Sequence, residues 1–271
     1  MQNSYPGKVA IITGSSRGIG KAIALALAKE GCAIVLNGRN EQRLTEAKKS
    51  ILKIHEHVIT VCCDVSIKEE AQQLIEETIK TFGRLDILVN NVGISMRGKF
   101  ADLNPDVFKS VFESNVYGTI NPTIPAIPHL RKTKGSIVFI SSLAGIRGLP
   151  GLSAYCSSKM ALRAVAESIR IEEKENDIHV GLIYVGITEI EHNKETISAS
   201  GDMITLEQRN KAKVQTMQFV ANAVSQNIKK RKFITTLTGI GKLNKFLQPR
   251  FPMLVEKIII KSRHKFEEKS K

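Results

Sequence analysis

The 271-residue chain is long enough to bury a substantial core and short enough to form a single α/β domain. Its 42% hydrophobic and 24% charged residues exclude the composition of a disordered chain and that of a membrane bundle. The net charge of +14 is uneven: from Lys229 onward, 13 Lys and Arg against three acids give +10, which leaves +4 for the first 228 residues. The basic character therefore belongs to the C-terminal part.

Short runs rich in Val and Ile alternate with longer amphipathic stretches. The pattern predicts strands at 8–13, 33–37, 57–62, 86–90, 136–141, 178–184 and 232–237. It predicts helices at about 18–30, 40–54, 67–82, 105–131, 154–175 and 205–228. Such alternation is typical of βα units around a parallel sheet that is buried on both faces. Right-handed crossovers would wind these units into a single doubly wound α/β sheet of about seven strands, with helices on both faces.

Targeting segments and metal motifs are not expected. The N-terminus runs directly into an apolar strand, so we expect no secretory signal, and no stretch of about 18 apolar residues predicts a spanning helix. The cysteines at 32, 62, 63 and 156 lack CxxC spacing, and the six histidines lack HxxxH pairs. We therefore predict reduced thiols, no metal and a cytoplasmic protein.

The segment "VAIITGSSRGIGKAIALALAKEG" predicts a strand, a glycine-bearing turn and a helix. Gly14, Gly18 and Gly20 carry no side chain, so the backbone can approach a pyrophosphate and the helix can pack on the strand. The start of the helix supplies free N–H groups and the positive end of its dipole for the anion. Glycine is common in turns, so the strand-to-helix context is what makes this a candidate dinucleotide site.

With "TG" directly before the G-x-x-x-G-x-G spacing, the segment resembles the short-chain dehydrogenase/reductase family. The resemblance implies a Rossmann-type fold and places Ser16, Arg17 and Ile19 with the three glycines at the cofactor. In that family the second strand commonly ends in an acid when the cofactor is NAD. Here Gly38 takes that position and Arg39 follows it. A guanidinium suits a 2′-phosphate, so we expect NADP(H) to be favoured over NAD(H). Alternatively, Arg17 and Arg39 are solvated surface charges.

Two further segments match the family. "CDVS", with Asp64 and Val65, corresponds to the adenine contact, and "NNVG", which contains Asn91 and Gly93, to the family's "NNAG" signature. Valine in place of alanine is a mild departure that would tighten the cofactor wall. Without the resemblance, the two asparagines read as a turn that ends a strand.

"SAYCSSK" places Tyr155 and Lys159 four residues apart at the start of a predicted helix, on one face and about 5–6 Å apart at Cβ. A free phenol titrates near ~10, and a nearby ammonium favours the phenolate that proton exchange requires. The pair alone is equally compatible with a structural contact. Cys156, beside the tyrosine, is predicted to be a packing residue.

The resemblance supplies the remaining predicted catalytic residues. Y-x-x-x-K is the family's catalytic signature, and its serine partner lies thirteen residues earlier, which selects Ser142 over Ser141. Asn115 in "FESNVYG" matches the family's asparagine. By this resemblance Ser142 positions the substrate oxygen, Tyr155 is the general acid or base, Lys159 binds the nicotinamide ribose, and Asn115 places a water beside Lys159. The matches cover residues 8 to about 190.

Two segments depart from the family pattern. The family usually has "PGxxxT" after the sixth strand, whereas this chain reads "VGITEI", and we predict that Thr188 replaces the usual threonine at the carboxamide. Pro122 and Pro125, in "NPTIPAIPHL", fall within a helix that in this family packs against its copy in a second subunit. These prolines weaken the prediction of a homo-oligomer.

Residues 186–203 have mixed polarity and follow the sixth strand, at the edge where open α/β sheets bind ligands. We interpret them as a mobile flap over a substrate, within a catalytic domain at 1–242. The alternative is a surface excursion with no ligand role.

The basic extension at 243–271 has an apolar helical stripe at Leu247, Phe251, Leu254, Val255, Ile258 and Ile259. Four interpretations are open: a helix docked on its own domain, a peripheral membrane contact, a partner-binding helix, or a nucleic-acid patch. Nucleic acid is the least favoured, because no stacking aromatics interleave the cations.

These observations lead to one functional hypothesis with an alternative. The chain is predicted to be an NADPH-dependent oxidoreductase that interconverts a ketone and a secondary alcohol. "SSKMALRAVAES" resembles the branch of the family that handles lipophilic ketones such as steroids, 3-oxoacyl chains or 3-ketosphinganine. The alternative is an NADPH-binding sensor or scaffold without turnover, acting through the basic tail.

Overall fold

The computed structural model describes residues 5–191, 194–207 and 214–261. The strands are β1 Val9–Ile12, β2 Ala33–Gly38, β3 Val58–Cys62, β4 Ile87–Asn90, β5 Met96–Arg97, β6 Ser136–Ser142, β7 His179–Val185, β8 Glu195–Ser198, β9 Met203–Thr205 and β10 Ile234–Thr236. The helices are α1 Gly18–Lys29, α2 Glu41–Leu52, α3 Lys68–Phe82, α4 Pro105–Phe112, α5 Gly118–Thr133, α6 Ser153–Glu172, α7 Met217–Lys229, α8 Gly239–Leu247 and α9 Pro252–Lys261.

Seven strands form one parallel sheet in the order β10-β7-β6-β4-β1-β2-β3. Strands β1, β2, β4 and β7 are buried along their whole length, which explains why they read as continuous apolar runs rather than alternating ones. Helices α1, α2 and α7 cover one face of the sheet, and α3, α5 and α6 cover the other. The predicted fold class, a Rossmann-type doubly wound sheet with helices on both faces, is confirmed.

The strand order reverses between β1 and β4, because the chain leaves β1 toward β2 and later returns to β4 on the other side. In open α/β sheets the crevice at such a switch point, beyond the carboxyl ends of the strands, is where ligands bind. The turns after β1, β4 and β6 meet at this edge. In a smaller sheet, β8 from the segment that we interpret as the flap pairs with β5 on one side and with β9, which begins at the end of that segment, on the other.

Two predicted helices differ in the structure. The helix predicted at 205–228 begins only at Met217, where the Thr216 hydroxyl accepts the Phe219 N–H at 3.1 Å. Thr205 belongs instead to β9, and residues 208–213 lie outside the described part of the chain. The helix predicted at 105–131 is divided by a π-helical turn at Glu113–Tyr117, and the prolines of α5 lie within it without ending it.

The C-terminal stripe is also divided. Helix α8 ends at Leu247 and α9 begins at Pro252, so the apolar residues predicted to share one helical stripe lie on two helices and the turn between them. Val255 is buried on the inner side of α9, whereas Leu254 and Ile258 are exposed. A proline at the first position of α9 fits the start of a new helix. The extension beyond Lys261 lies outside the described residues.

Two findings concern membrane spanning and metal binding. Within the described ranges, no helix is long and apolar enough to cross a membrane, and no group of three His, Cys, Asp or Glu side chains is placed to hold a metal ion. The four cysteines are free thiols, and three of them are buried. Burial raises the pKa of Cys156 to about 11, which makes this thiol a packing group rather than a nucleophile.

Candidate active site

The glycine turn joins β1 to α1 at the switch point of the sheet. Gly14 and Gly18 have φ angles of +61° and +60°, which favour glycine over other residues. At Gly20 a Cβ atom would run into the carbonyl of Gly14 and would lie 2.6 Å from Nδ2 of Asn91. The turn therefore brings the start of α1 close to the ends of β1 and β4. Glycine at position 20 allows this close packing, whereas a Cβ atom at Gly18 would lie 4.0 Å from its nearest neighbour, so the start of α1 has room, as a dinucleotide site requires.

The turn after β4 is bonded directly to the glycine turn. The Asn91 amide Nδ2 donates to the carbonyls of Thr13 and Gly14 at 3.0 and 3.1 Å. The backbone N–H groups of Asn91 and Val92 donate to the Thr13 hydroxyl at 3.0 and 3.2 Å. Asn91, predicted to lie at the cofactor, thus holds the glycine turn in place. Thr13 was not among the predicted site residues, although it is the threonine of the "TG" pair.

Asn37 is a second residue that the sequence analysis missed. Its Oδ1 accepts the Gly14 N–H at 3.4 Å, and its Nδ2 donates to the carbonyls of Val61 and Cys63 at 3.3 and 3.2 Å. The side chain therefore ties the glycine turn to the ends of β2 and β3. The available signal was a lone amide in the apolar strand "AIVLNG", where a buried polar group needs partners.

The two predicted 2′-phosphate cations are each paired with an acid. Arg39 is exposed, and its Nη1 lies 3.1 Å from Oδ2 of Asp64. Partial burial opposes the ionisation of Asp64, but hydrogen bonds from Ser66 and the pairing with Arg39 outweigh it and lower its pKa. Arg17 lies at the glycine turn, with Nη1 3.7 Å from Oε2 of Glu191.

The remaining predicted cofactor residues at this end lie around the start of α1 and after β2 and β3. Gly38 lies against Ser16, because a Cβ atom at position 38 would be 3.2 Å from the Ser16 hydroxyl. A larger residue at position 38 would crowd Ser16. This is the position where the family commonly carries an acid, and here it has no side chain. Ile19 packs partly on the core beneath α1, and Val65 is buried on the opposite face of the sheet.

Ser141 and Ser142 differ clearly at the end of β6. Ser141 is buried, and its hydroxyl donates to the Lys159 carbonyl at 3.1 Å, so it joins β6 to α6. Ser142 is half-buried at the edge of the sheet, where its hydroxyl accepts the Ala144 N–H at 3.2 Å. The structure therefore leaves Ser142 as the hydroxyl at the crevice, which is the residue that the family spacing selects.

Tyr155 and Lys159 lie one turn apart in α6. The Lys159 Nζ is 6.0 Å from the centre of the Tyr155 ring and donates to the Ile140 carbonyl at 3.1 Å. Only 5% of Lys159 is exposed, and burial lowers the pKa of its ammonium to about 8. The Tyr155 ring packs beside an apolar cluster that includes Met96 and Ile197.

Asn115 lies in the π-helical turn between α4 and α5 and is fully buried. Its Oδ1 accepts the Ile94 N–H at 2.7 Å, and its Nδ2 donates to the Ile94 carbonyl at 3.0 Å and to the Ser158 hydroxyl at 2.9 Å. Asn115 thus connects the turn after β4 to the residue preceding Lys159. Single-turn π-helices are frequent at functional sites. Ser158 carried no sequence signal apart from its place inside the Tyr-Lys motif.

Gly93 is the point at which these groups converge. A Cβ atom there would lie 2.9 Å from Lys159 Nζ and 3.0 Å from Asn115 Oδ1. The structure therefore brings Lys159, Asn115 and the turn after β4 to one place at the carboxyl edge of the sheet. Glycine at this position keeps the space in front of the ammonium clear. Together with the room at the start of α1, these features fit a nicotinamide dinucleotide.

Thr188 lies at the start of the predicted flap and is buried. Its hydroxyl donates to the Gly186 carbonyl at 3.2 Å, and the backbone of Thr188 bridges to Gln215. Gln215 also accepts the Gly186 N–H at 3.1 Å. These bonds fix the first residues after β7, and the contact of Thr188 with a carboxamide stays a prediction.

A doubly wound sheet with a glycine turn at its switch point is typical of Rossmann-type dinucleotide-binding proteins. Residues 8–201 match the short chain dehydrogenase family, and the chain therefore belongs to this family of oxidoreductases.

Its relatives include a reductase and a dehydrogenase-like protein. A 3-ketodihydrosphingosine reductase from Bos taurus is 38% identical over 187 residues, which are 67% of this chain and 56% of that protein. An 11-beta-hydroxysteroid dehydrogenase-like protein 4A from Arabidopsis thaliana is 40% identical over 186 residues, which are 68% of this chain and 62% of that protein. The chain spans somewhat more than half the length of these curated relatives.

Solved structures share the fold. A short chain dehydrogenase/reductase from Burkholderia phymatum in complex with NAD superposes with a TM-score of 0.80 at 22% identity, covering 94% of this chain and 96% of that one. An alcohol dehydrogenase from the archaeon Thermococcus sibiricus, complexed with 5-hydroxy-NADP, gives a TM-score of 0.74 at 26% identity, covering 84% and 95%.

Proposed function

We propose that the protein is an NADPH-dependent reductase that converts a ketone to a secondary alcohol, with Tyr155 as the general acid. The observation that carries the proposal is the placement of a nearly buried ammonium, Lys159, one helical turn from a phenol at the switch-point crevice. A buried lysine is costly to maintain, and such strongly perturbed groups concentrate at functional sites. Ser142 lies at the edge of the same crevice.

Each residue has a task that follows from its position. The nicotinamide cofactor supplies the hydride when it is bound. The Ser142 hydroxyl donates a hydrogen bond to the substrate oxygen and orients the carbonyl. Tyr155 gives its phenolic proton to the oxygen as charge develops on it, and it accepts that proton in the reverse reaction.

Lys159 and Asn115 support this proton transfer. The charge of Lys159, 6.0 Å from the Tyr155 ring centre, favours the phenolate that remains after the proton has left. Because the pKa of Lys159 is lowered to about 8, its ammonium is charged at neutral pH and is still poised to exchange a proton. Asn115 holds the backbone around Gly93, and we assign it the placing of a water through which Lys159 is reprotonated.

A preference for NADP(H) is supported by the end of β2. Gly38 offers no carboxylate for a ribose hydroxyl, while Arg39 is exposed and Arg17 lies at the glycine turn. A 2′-phosphate would attract both guanidinium groups. Thr188 is proposed to contact the carboxamide at the other end of the cofactor.

A lipophilic substrate is supported by the surroundings of Tyr155 and by the relatives. The ring packs beside the apolar cluster of Met96, Ile197 and their neighbours, part of which lies on the β8 strand of the proposed flap. The relative from Bos taurus bears the name of a reductase of a long-chain keto lipid. We therefore propose a lipophilic ketone and a role in lipid metabolism.

A peripheral contact with the cytoplasmic face of a membrane is the second part of the proposal. The outer side of α8 and α9 exposes large apolar side chains that a soluble domain normally covers, namely Ile240, Leu243, Phe246, Leu254 and Ile258. We call these five residues the C-terminal apolar face. Exposed lysines at 242, 257 and 261 lie among them. Apolar residues interspersed with cations are typical of helices that lie in an anionic membrane surface.

Tyr155→Phe tests the catalytic proposal. NADPH oxidation in the presence of a panel of lipophilic ketones should fall by roughly 10²–10⁴-fold, the usual contribution of a general acid. Cofactor affinity, measured by quenching of NADPH fluorescence, should stay unchanged. Tyr117→Phe is the matched control, because Tyr117 is an exposed tyrosine outside the site. If the protein turned over none of the ketones in a Tyr155-dependent way but still bound NADPH, the result would instead favour an NADPH-binding sensor or scaffold acting through the tail.

A further inference from the structure

Glu191 makes a contact that the proposed catalytic chemistry does not use. Its Oε1 accepts the Gly18 N–H at 2.7 Å, and its Oε2 lies 3.7 Å from Arg17 Nη1. Glu191 comes from the segment after β7, far along the chain from the glycine turn that it contacts. A carboxylate of the protein itself thus lies at the turn that is proposed to bind the cofactor's pyrophosphate.

The contact between Glu191 and Gly18 is favourable because the start of α1 attracts any anion, a carboxylate as well as a phosphate. Gly18 is the first residue of α1, so its N–H has no partner within the helix. This N–H lies at the positive end of the helix dipole. Any anion that reaches this end can accept from it. A phosphate oxygen and a carboxylate oxygen cannot occupy the same position, and two anions held by one helix end repel each other.

We propose that Glu191 is an internal competitor for the cofactor's pyrophosphate, which displaces the carboxylate from Gly18 when the cofactor binds. The inference rests on the proposed function, because it requires that a dinucleotide binds at the glycine turn. Glu191 stabilises the start of α1 before the cofactor arrives and lowers the affinity of the site for the cofactor.

The neighbouring residues show which part of the segment must move. Glu189 accepts the Met217 N–H at 2.7 Å and so holds the segment to the start of α7. Thr188 bridges to Gln215. These anchors lie away from the glycine turn and persist when Glu191 leaves. The displacement is therefore placed after Glu189, and it moves the Glu191 carboxylate away from the Gly18 N–H.

Cofactor titrations test the competition. The dissociation constants of NADPH and NADH are measured by fluorescence for the full-length protein and for Glu191→Gln and Glu191→Ala. Both variants should bind both cofactors more tightly, by roughly two- to tenfold, which is the size expected for removing one partly exposed charge from a helix end. Alanine should give at least the gain of glutamine, because a Gln amide oxygen still accepts from Gly18.

The matched control is Glu195→Gln, which removes the same charge from the exposed start of β8. It should leave both dissociation constants unchanged. Unchanged or weaker binding in both Glu191 variants would overturn the proposal. So would a gain for NADPH without one for NADH, because the effect would then arise at the 2′-phosphate. If the wild-type protein binds neither cofactor, the proposed function itself fails, which is a distinct result.

Discussion

Burial of the Lys159 ammonium destabilises this fold. Lys159 is almost fully removed from water, and its Nζ donates to the Ile140 carbonyl, while no carboxylate among the described residues forms an ion pair with it. Burial without an opposite charge favours the neutral amine and lowers the pKa. A chain under selection for stability alone would place an apolar residue here. The cost of the charge is the clearest physical sign that position 159 serves a purpose other than packing.

Lys159→Met should therefore stabilise the protein while removing its activity. The pKa of Lys159 is lowered from 10.5 to about 8 in the folded chain, so the unfolded chain binds this proton more tightly. The contribution of the group to the free energy of unfolding is lowest below pH 8, where both states are charged, and it rises with pH up to about 10.5. Chemical denaturation should show a gain of up to about 3 kcal/mol for the variant at pH 7, shrinking as the pH approaches 10. Lys49→Met, at an exposed lysine of α2, should show no such pH-dependent gain. A less stable Lys159→Met variant at pH 7 would contradict the argument.

Gly93→Ala tests the convergence at the end of β4. The added Cβ would lie 2.9 Å from Lys159 Nζ and 3.0 Å from Asn115 Oδ1, so one of these groups must shift. Displacing a catalytic group by about 1 Å can cost roughly 10²-fold in rate, and we expect a loss of this order in kcat with the fold retained by circular dichroism. Gly148→Ala is the control, because a Cβ there meets nothing within 4 Å. Equal kcat values for the two variants would show that the space in front of Lys159 does not matter.

At the scale of elements, the parts of the site that sequence predicts are those encoded within a few residues. The glycine turn, the Tyr155–Lys159 spacing and the strand that ends at Ser142 each lie in one short segment, and local backbone rules place them. Glu191, Thr13 and Asn37 act through partners that are distant in the chain, so spacing carries no signal for them. The start of α7 was missed for a similar reason: the polar pattern before Met217 is compatible with a helix, whereas Thr205 pairs with Glu195 in the hairpin.

The hairpin is the element that links the proposed flap to catalysis. Strand β8 pairs with β5 at Met96 and Ile197, and both side chains belong to the apolar cluster beside Tyr155. Ile197→Ala should therefore lower kcat/KM for a lipophilic ketone by about tenfold, the size of a partial loss of apolar contact, with NADPH affinity unchanged. Met203→Ala, an exposed position on β9, is the matched control. A loss of NADPH affinity in the Ile197 variant would place its effect at the cofactor instead.

At the scale of the whole molecule, charge and exposed apolar area coincide. The excess positive charge lies in the C-terminal part of the sequence, and the C-terminal apolar face lies on the helices of that same part. Helix α8 buries Gly241 against Leu143 and turns Ile240, Leu243 and Phe246 outward, which is the reverse of a helix that completes a core. Bringing such side chains out of water is worth about 1.5–3 kcal/mol each, and each lysine near an anionic surface adds about 1 kcal/mol.

Membrane association should therefore depend both on the exposed apolar side chains and on the positive charge of the C-terminal part. The full chain should co-sediment with vesicles of phosphatidylcholine and phosphatidylserine, and less with phosphatidylcholine alone or at raised salt, because the lysines act through screened charge. The double variant Leu243→Glu/Phe246→Glu should lose binding by roughly 100-fold or more, since it removes two apolar contacts and adds two negative charges. Ile171→Glu/Phe219→Glu makes the same kind of change at exposed positions of α6 and α7 and should bind like the wild type. Both doubles should reduce a small water-soluble ketone at the wild-type rate, because neither touches the crevice. Vesicle binding that survives in the α8 double variant would show that the C-terminal apolar face meets something other than lipid.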